Sequence, residues 1–215
     1  MGLLEDFINL LVNLDQSLRS IVQQFGLWTY LILFIIIFAE TGFVVTPFLP
    51  GDSLIFIAGT FAAIGLLRID LLFLILSAAA ILGDTVNYWI GFCTGPKIFK
   101  EKDARFFKKK YLETTKKFYE KYGGKTIVVA RFIPVIRTFA PFVAGIGKMS
   151  YSRFAVFNVL GGIAWVAIFL FGGYFFGNIP IVRENLSTTI ILIIFASFLP
   201  IIFRFLQTRT IRGKK

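Results

Sequence analysis

The chain has 215 residues, of which 57% are hydrophobic and 16% charged, with a mean hydropathy of +0.79 and a net charge of +11. A soluble domain carries roughly 25% charged residues, so this much apolar surface needs lipid as its solvent, and runs such as LILFIIIFA (31–39) do not alternate as an outer-membrane barrel requires. There is no histidine and one cysteine, Cys93, which excludes an internal disulfide and removes the commonest metal ligand and the usual general base.

The N-terminal segment, residues 3 to 24, places Leu3, Leu4, Phe7, Leu10, Leu11 and Leu14 on one stripe. That pattern predicts an amphipathic helix lying on or entering the interface. It is acidic where a signal peptide is basic, so no cleaved leader is expected.

An apolar helix follows over 27–45 and breaks at TPFLPGD. A second over 53–65 is, at 13 residues, too short to span alone. Residues 69–92 read as a full span. Residues 97–125 hold eleven Lys/Arg against four acids, with Phe99, Phe107, Tyr111, Phe118 and Tyr122 at helical spacing. This predicts a basic helix over 97–122, resting on anionic headgroups. Residues 124–147 are apolar but interrupted by Pro134 and Pro141. Two further spans, about 152–178 and 187–206, precede a tail with five Lys/Arg and no acid. The positive-inside rule puts both basic segments in the cytoplasm, consistent with two crossings between them. The same charge excess could suit nucleic acid, but basic clusters beside spans are ordinary in an inner-membrane protein, so no nucleic-acid partner is expected.

The two interrupted segments resemble each other. The first carries Glu40 and Asp52 around Pro47, Pro50 and Gly51. The second carries Arg131 and Arg137 around Pro134 and Pro141. They end in FIAG and FVAG, and a glycine-bearing span follows each. Proline removes a backbone donor and lets the chain turn back. In lipid such backbone survives only inside protein or along a wet cavity. Paired interrupted segments also mark transporter sites. Both are therefore read as re-entrant hairpins meeting near the midplane. The expected fold is an all-α polytopic membrane protein, with two re-entrant helical hairpins in an inverted repeat and about four transmembrane spans.

An ionisable residue at the bilayer centre costs roughly 2.5 to 3.5 kcal/mol on insertion scales. Two acids and two bases suggest mutual neutralisation. Arg131 and Arg137 lie about 240° apart on an ideal helix and share a face only if the segment bends at Pro134. One reading makes these charges ion pairs that only hold the hairpins together. The other makes the arginines a site for an anionic headgroup and the carboxylates proton sites. Asp84 could extend the network, but the simpler expectation is local satisfaction by Asn87 or Tyr88. Trp28, Tyr30, Tyr88 and Trp89 read as belt or packing residues. Gly83, Gly91, Gly95, Gly161, Gly162, Gly172 and Gly173 read as helix-packing positions. Cys93 reads as a small core residue.

The stretches ETGFVVTPFLPGDSLIFIAG, GDTVNYWIG, FYEKYGGKTIVVARFIPVIRTFAPFVAGIGKMSY and WVAIFLFGGYFFG resemble the bacterial DedA family, close to the DedA proteins proper, over roughly residues 25–180. The wider group includes eukaryotic VTT-domain scramblases. The resemblance implies an integral membrane protein of the cell inner membrane with two re-entrant hairpins. It implies lipid transport linked to the proton motive force and to envelope integrity. Some members translocate undecaprenyl phosphate, and others move or scramble phospholipids such as phosphatidylethanolamine. The family's important acids correspond to Glu40 and Asp52 and its arginines to Arg131 and Arg137, all present here. The domain organisation expected is an amphipathic helix (1–24), a DedA/VTT-type membrane domain (25–180), and a C-terminal span with a basic tail (181–215).

The function expected is that of a flippase for undecaprenyl phosphate, with Arg131 and Arg137 neutralising the phosphate and Glu40 and Asp52 as proton sites. No enzyme activity, cofactor or metal is expected, and the partners are a lipid and protons. The alternatives are a phospholipid scramblase, a proton-coupled small-solute transporter, or an assembly protein. A lipid phosphatase is disfavoured, since neither a paired-His nor a KxxxxxxRP signature is present.

Overall fold

The computed structural model describes residues 24–43, 51–98 and 123–184. The predicted N-terminal amphipathic helix, the turn holding Pro47 and Pro50, most of the basic helix, the 187–206 span and the basic tail lie outside these residues. Among the described residues the chain is helical, without a strand. Its elements are α1 (Leu27–Gly42), α2 (Gly51–Ala63), α3 (Ile69–Ile98), a 3₁₀ turn (Gly123–Lys125), α4 (Thr126–Ala130), α5 (Pro134–Ile146), α6 (Tyr151–Gly177) and α7 (Pro180–Glu184).

Helix length separates two classes. A hydrocarbon core roughly 30 Å thick needs about 20 helical residues at 1.5 Å each. Within α3 and α6, Ile69–Thr94 and Tyr151–Gly177, of 26 and 27 residues, are apolar and long enough to cross. By contrast α1, α2 and α5 have 16, 13 and 13 residues, so none reaches across alone. The outer surface fits a lipid solvent: Leu27, Leu74, Phe175 and Ile181 are each well over half exposed. Cys93, expected in the core, is exposed instead. A thiol facing hydrocarbon loses little, because sulfur is weakly polar.

The chain packs as two units. Among the described residues, one comprises 24–26, 52–69 and 169–184. Here small residues let backbones touch: a Cβ on Gly59 would strike the Leu170 carbonyl, and one on Gly173 the Phe56 carbonyl. Gly177 closes on Thr60 in the same way. Such close approach is how helices associate in lipid, where no hydrophobic drive separates helix from solvent.

Among the described residues, the other unit comprises 27–43, Gly51, 70–98 and 123–168. Its core gathers Tyr88, Ile127, Ala130, Ile136, Ala140, Ala144 and Phe154. Tyr88 is a packing residue, stacked on Phe154 at 4.5 Å with its hydroxyl donating to the Met149 carbonyl at 2.5 Å. The crossing of α3 and α5 runs through glycines, with Gly91 against the Phe142 backbone and Gly145 against that of Tyr88. Gly83 likewise admits Thr41 of α1.

Candidate functional site

The second interrupted segment breaks at one place rather than two. Residues 131–133 form a turn after α4, and Ile133 is extended (φ −119°, ψ 105°), as the residue before a proline must be. Pro134 then opens α5, where its missing N–H costs nothing. Pro141, expected to interrupt as well, sits inside α5, which runs on to Ile146.

This single break has a consequence for the arginines. Arg131 caps the C-terminus of α4 and Arg137 lies in the first turn of α5. On one unbroken helix they would point apart. Here both are buried, at 2% and 5% exposure, and both guanidiniums lie over one ring, that of Trp165, at 5.9 and 5.1 Å.

Each arginine has a buried carboxylate. Arg137 Nη2 meets Glu40 Oε1 at 2.5 Å. Glu40 stands near the end of α1, fully buried. Gly51 lies so close to its carboxylate that a Cβ there would overlap it, so any larger residue displaces the carboxylate. Arg131 Nη2 meets Asp84 Oδ2 at 2.6 Å and donates to Asn158 Oδ1 at 2.6 Å. Asp84 therefore extends the network instead of being satisfied locally. The two expected local partners are occupied elsewhere: Tyr88 bonds Met149, and the Asn87 amide donates to the carbonyls of Thr41 and Thr138.

Gly161 and Gly162 are helix-packing positions, as expected, against the Val128 backbone and the Ile81 side chain, and they have a second task. A Cβ on either would crowd the Arg131 guanidinium at 3.3 to 3.4 Å, so they leave room for it. Asn158 in turn donates to the Ile81 carbonyl at 3.0 Å and to Thr85 Oγ1 at 3.3 Å, which fixes its own orientation. Asp52 is half-buried in the first turn of α2, where a negative charge suits the helix N-terminus, and it belongs to the other unit.

Two carboxylates and two guanidiniums thus neutralise one another inside a low-dielectric interior. Such an arrangement can exchange an internal carboxylate for a singly charged external anion on the same arginine without a net change of buried charge when the displaced carboxylate takes up a proton. Sequence reasoning missed Trp165 and Asn158. A signal existed for Asn158, because an amide in the apolar run FAVFNVLGG needs a buried partner. Trp165 offered none, being one aromatic among many.

The VTT domain family matches residues 49–175. Protein DedA of Escherichia coli (strain K12) is 50% identical over 202 residues, covering 93% of this chain and 92% of that protein. An uncharacterized membrane protein of Mycobacterium leprae is 45% identical over 166 residues, covering 77% of this chain and 74% of its own length. The inner membrane protein YqjA of Escherichia coli (strain K12) is 33% identical over 152 residues, 71% of this chain and 69% of that one. No solved structure matches. A helical membrane chain with this match over most of its length belongs to the DedA family of VTT-domain membrane proteins.

Proposed function

We propose that this protein is a lipid translocase that moves undecaprenyl phosphate between the leaflets of the cytoplasmic membrane, so that the carrier lipid can be reused. One observation carries the reading: Arg131 and Arg137, distant on an ideal helix, are buried over one ring with an acid beside each. The polyprenyl tail of such a lipid stays in hydrocarbon throughout. The barrier is desolvation of its phosphate, and bidentate guanidinium donors lower that barrier. Binding then exchanges one anion for another on Arg137: the phosphate enters as Glu40 takes up a proton. Asp52 acts as the second proton site.

The two interrupted segments are re-entrant hairpins in this reading, related as an inverted repeat, with about four spans and a cytoplasmic basic tail. The protein is a carrier and not an enzyme, and needs no cofactor.

The test is flipping of labelled undecaprenyl phosphate in proteoliposomes, with and without a pH gradient. Flipping that needs the gradient and falls in both Arg137→Ala and Glu40→Gln is expected. Well-folded wild type that scrambles phosphatidylethanolamine but leaves undecaprenyl phosphate in place would overturn the choice of lipid. Undiminished flipping in both variants would overturn the role of the charged pair.

A further inference from the structure

Trp165 stands where neither the ion pairs nor the proposed exchange requires an aromatic. It is fully buried, and it is one of the largest side chains with no exposure at all. The face of α6 around it is specialised. Asn158, Gly161, Gly162 and Trp165 recur at helical spacing and so share one stripe. Asn158 accepts from Arg131, the two glycines leave room for its guanidinium, and the indole ring lies beneath it. The same ring lies nearer still to Arg137, at 5.1 Å.

The exchange described above raises a difficulty that this stripe resolves. A carboxylate holding a guanidinium must let go before a substrate anion can take its place. At that moment two buried like charges repel, and nothing among the acids keeps them at a fixed separation. A ring quadrupole attracts cations without carrying charge. It does not titrate, and it does not compete with the anion for hydrogen-bond donors. Among the described residues, Arg131 Nε and Nη1 are buried without a hydrogen-bond acceptor, so donors remain on that guanidinium for an incoming oxygen.

We propose that Trp165 is a positioning residue that holds Arg131 and Arg137 as the two halves of one anion site, and that its emission reports when the site is filled. The inference rests on the reading that an anion enters between the arginines, but not on which lipid carries it.

The chain has three tryptophans. Trp28 and Trp89 are 65% and 45% exposed and take no part in the site. Trp28→Phe with Trp89→Phe leaves Trp165 as the sole emitter in the full-length protein. Titration with farnesyl phosphate is expected to shift or quench its emission, farnesol is expected to leave it unchanged, and Arg137→Ala is expected to abolish the response. In flipping assays Trp165→Phe is expected to raise the half-saturating lipid concentration about tenfold, the worth of weakening a desolvated cation–π contact, with the saturated rate preserved. Trp165→Leu is expected to raise it further.

An emission that answers neither farnesyl phosphate nor vesicles of phosphatidylglycerol would overturn the proposal. So would a monodisperse Trp165→Leu protein with unchanged half-saturation. If wild type fails to flip undecaprenyl phosphate while the emission still answers phosphatidylglycerol, the lipid assignment falls and the anion site at Trp165 stands.

Discussion

The carbonyls of Thr41 and Thr138 accept hydrogen bonds from the same amide, Asn87 Nδ2, at 3.0 and 2.9 Å. Thr41 follows Glu40 and Thr138 follows Arg137, so one side chain on α3 clips together the two backbones that carry the ion pair. The geometry of that pair is set by α3, an element that supplies neither partner.

Asn87→Leu keeps the branched heavy-atom outline, with somewhat more bulk, and removes both donors. Two buried carbonyls then lose their partner, at a cost of about 2 kcal/mol. A lower melting temperature in detergent is expected, together with a larger fall in transport than in membrane insertion. Melting curves and proteoliposome flipping, measured on one preparation, check both parts.

Asp84→Asn should cost stability before it costs chemistry. It leaves Arg131 charged and buried beside a neutral amide, and breaking a buried pair from one side costs roughly 3 to 5 kcal/mol. Asp84→Asn combined with Arg131→Gln should recover part of that loss, because no lone charge remains. Differential scanning of the single and double variants measures the recovery.

Exchanging the charges of the Glu40–Arg137 pair separates architecture from transport. Glu40→Arg with Arg137→Glu preserves neutrality, and a pair that only holds the fold would keep working. Membrane insertion with a lowered melting temperature is expected, because the longer side chain at position 40 meets Gly51, and transport is expected to be lost, because the guanidinium would leave Trp165. Retained flipping in the swapped protein would favour the purely architectural role.

Gly51→Ala adds one methyl where the Glu40 carboxylate lies. The carboxylate has to move, and a displacement of an ångström at a reacting group can cost roughly a hundredfold. A transport defect well beyond the stability loss is expected. Gly65→Ala, where a Cβ would meet open space, is the comparison: its positive φ strains the backbone but crowds no site residue.

The charged residues were legible because lipid makes them conspicuous. A carboxylate or guanidinium in an apolar run has few reasons to be there, so Glu40, Arg131 and Arg137 declare themselves. Their mutual neutralisation was legible as well, but not which acid meets Arg131. Asp84 has Asn87 and Tyr88 one turn away on its own helix, and local satisfaction is the economical reading. The contact that wins comes from Arg131, at the turn 131–133 between α4 and α5. The two prolines of the second segment illustrate the same limit. Pro134 breaks the chain because its predecessor is extended, whereas Pro141 lies inside α5 without ending it, a difference that residue identity alone does not announce. Trp165 was invisible because 17% of the residues are aromatic, and only position separates a ring that fills space from one that holds two cations.

The separation of Glu40 and Arg137 along the chain, 97 residues, also sets a timetable. At roughly 5 to 20 residues per second of synthesis, the acid is made on the order of 5 to 20 seconds before its arginine exists. During that interval α1 cannot rest at its final depth with a bare carboxylate. It waits at the interface or carries a proton. Its docking is therefore a late event in biogenesis, triggered by arrival of the second half, and a truncated nascent chain ending before residue 137 should leave α1 accessible to the insertion machinery.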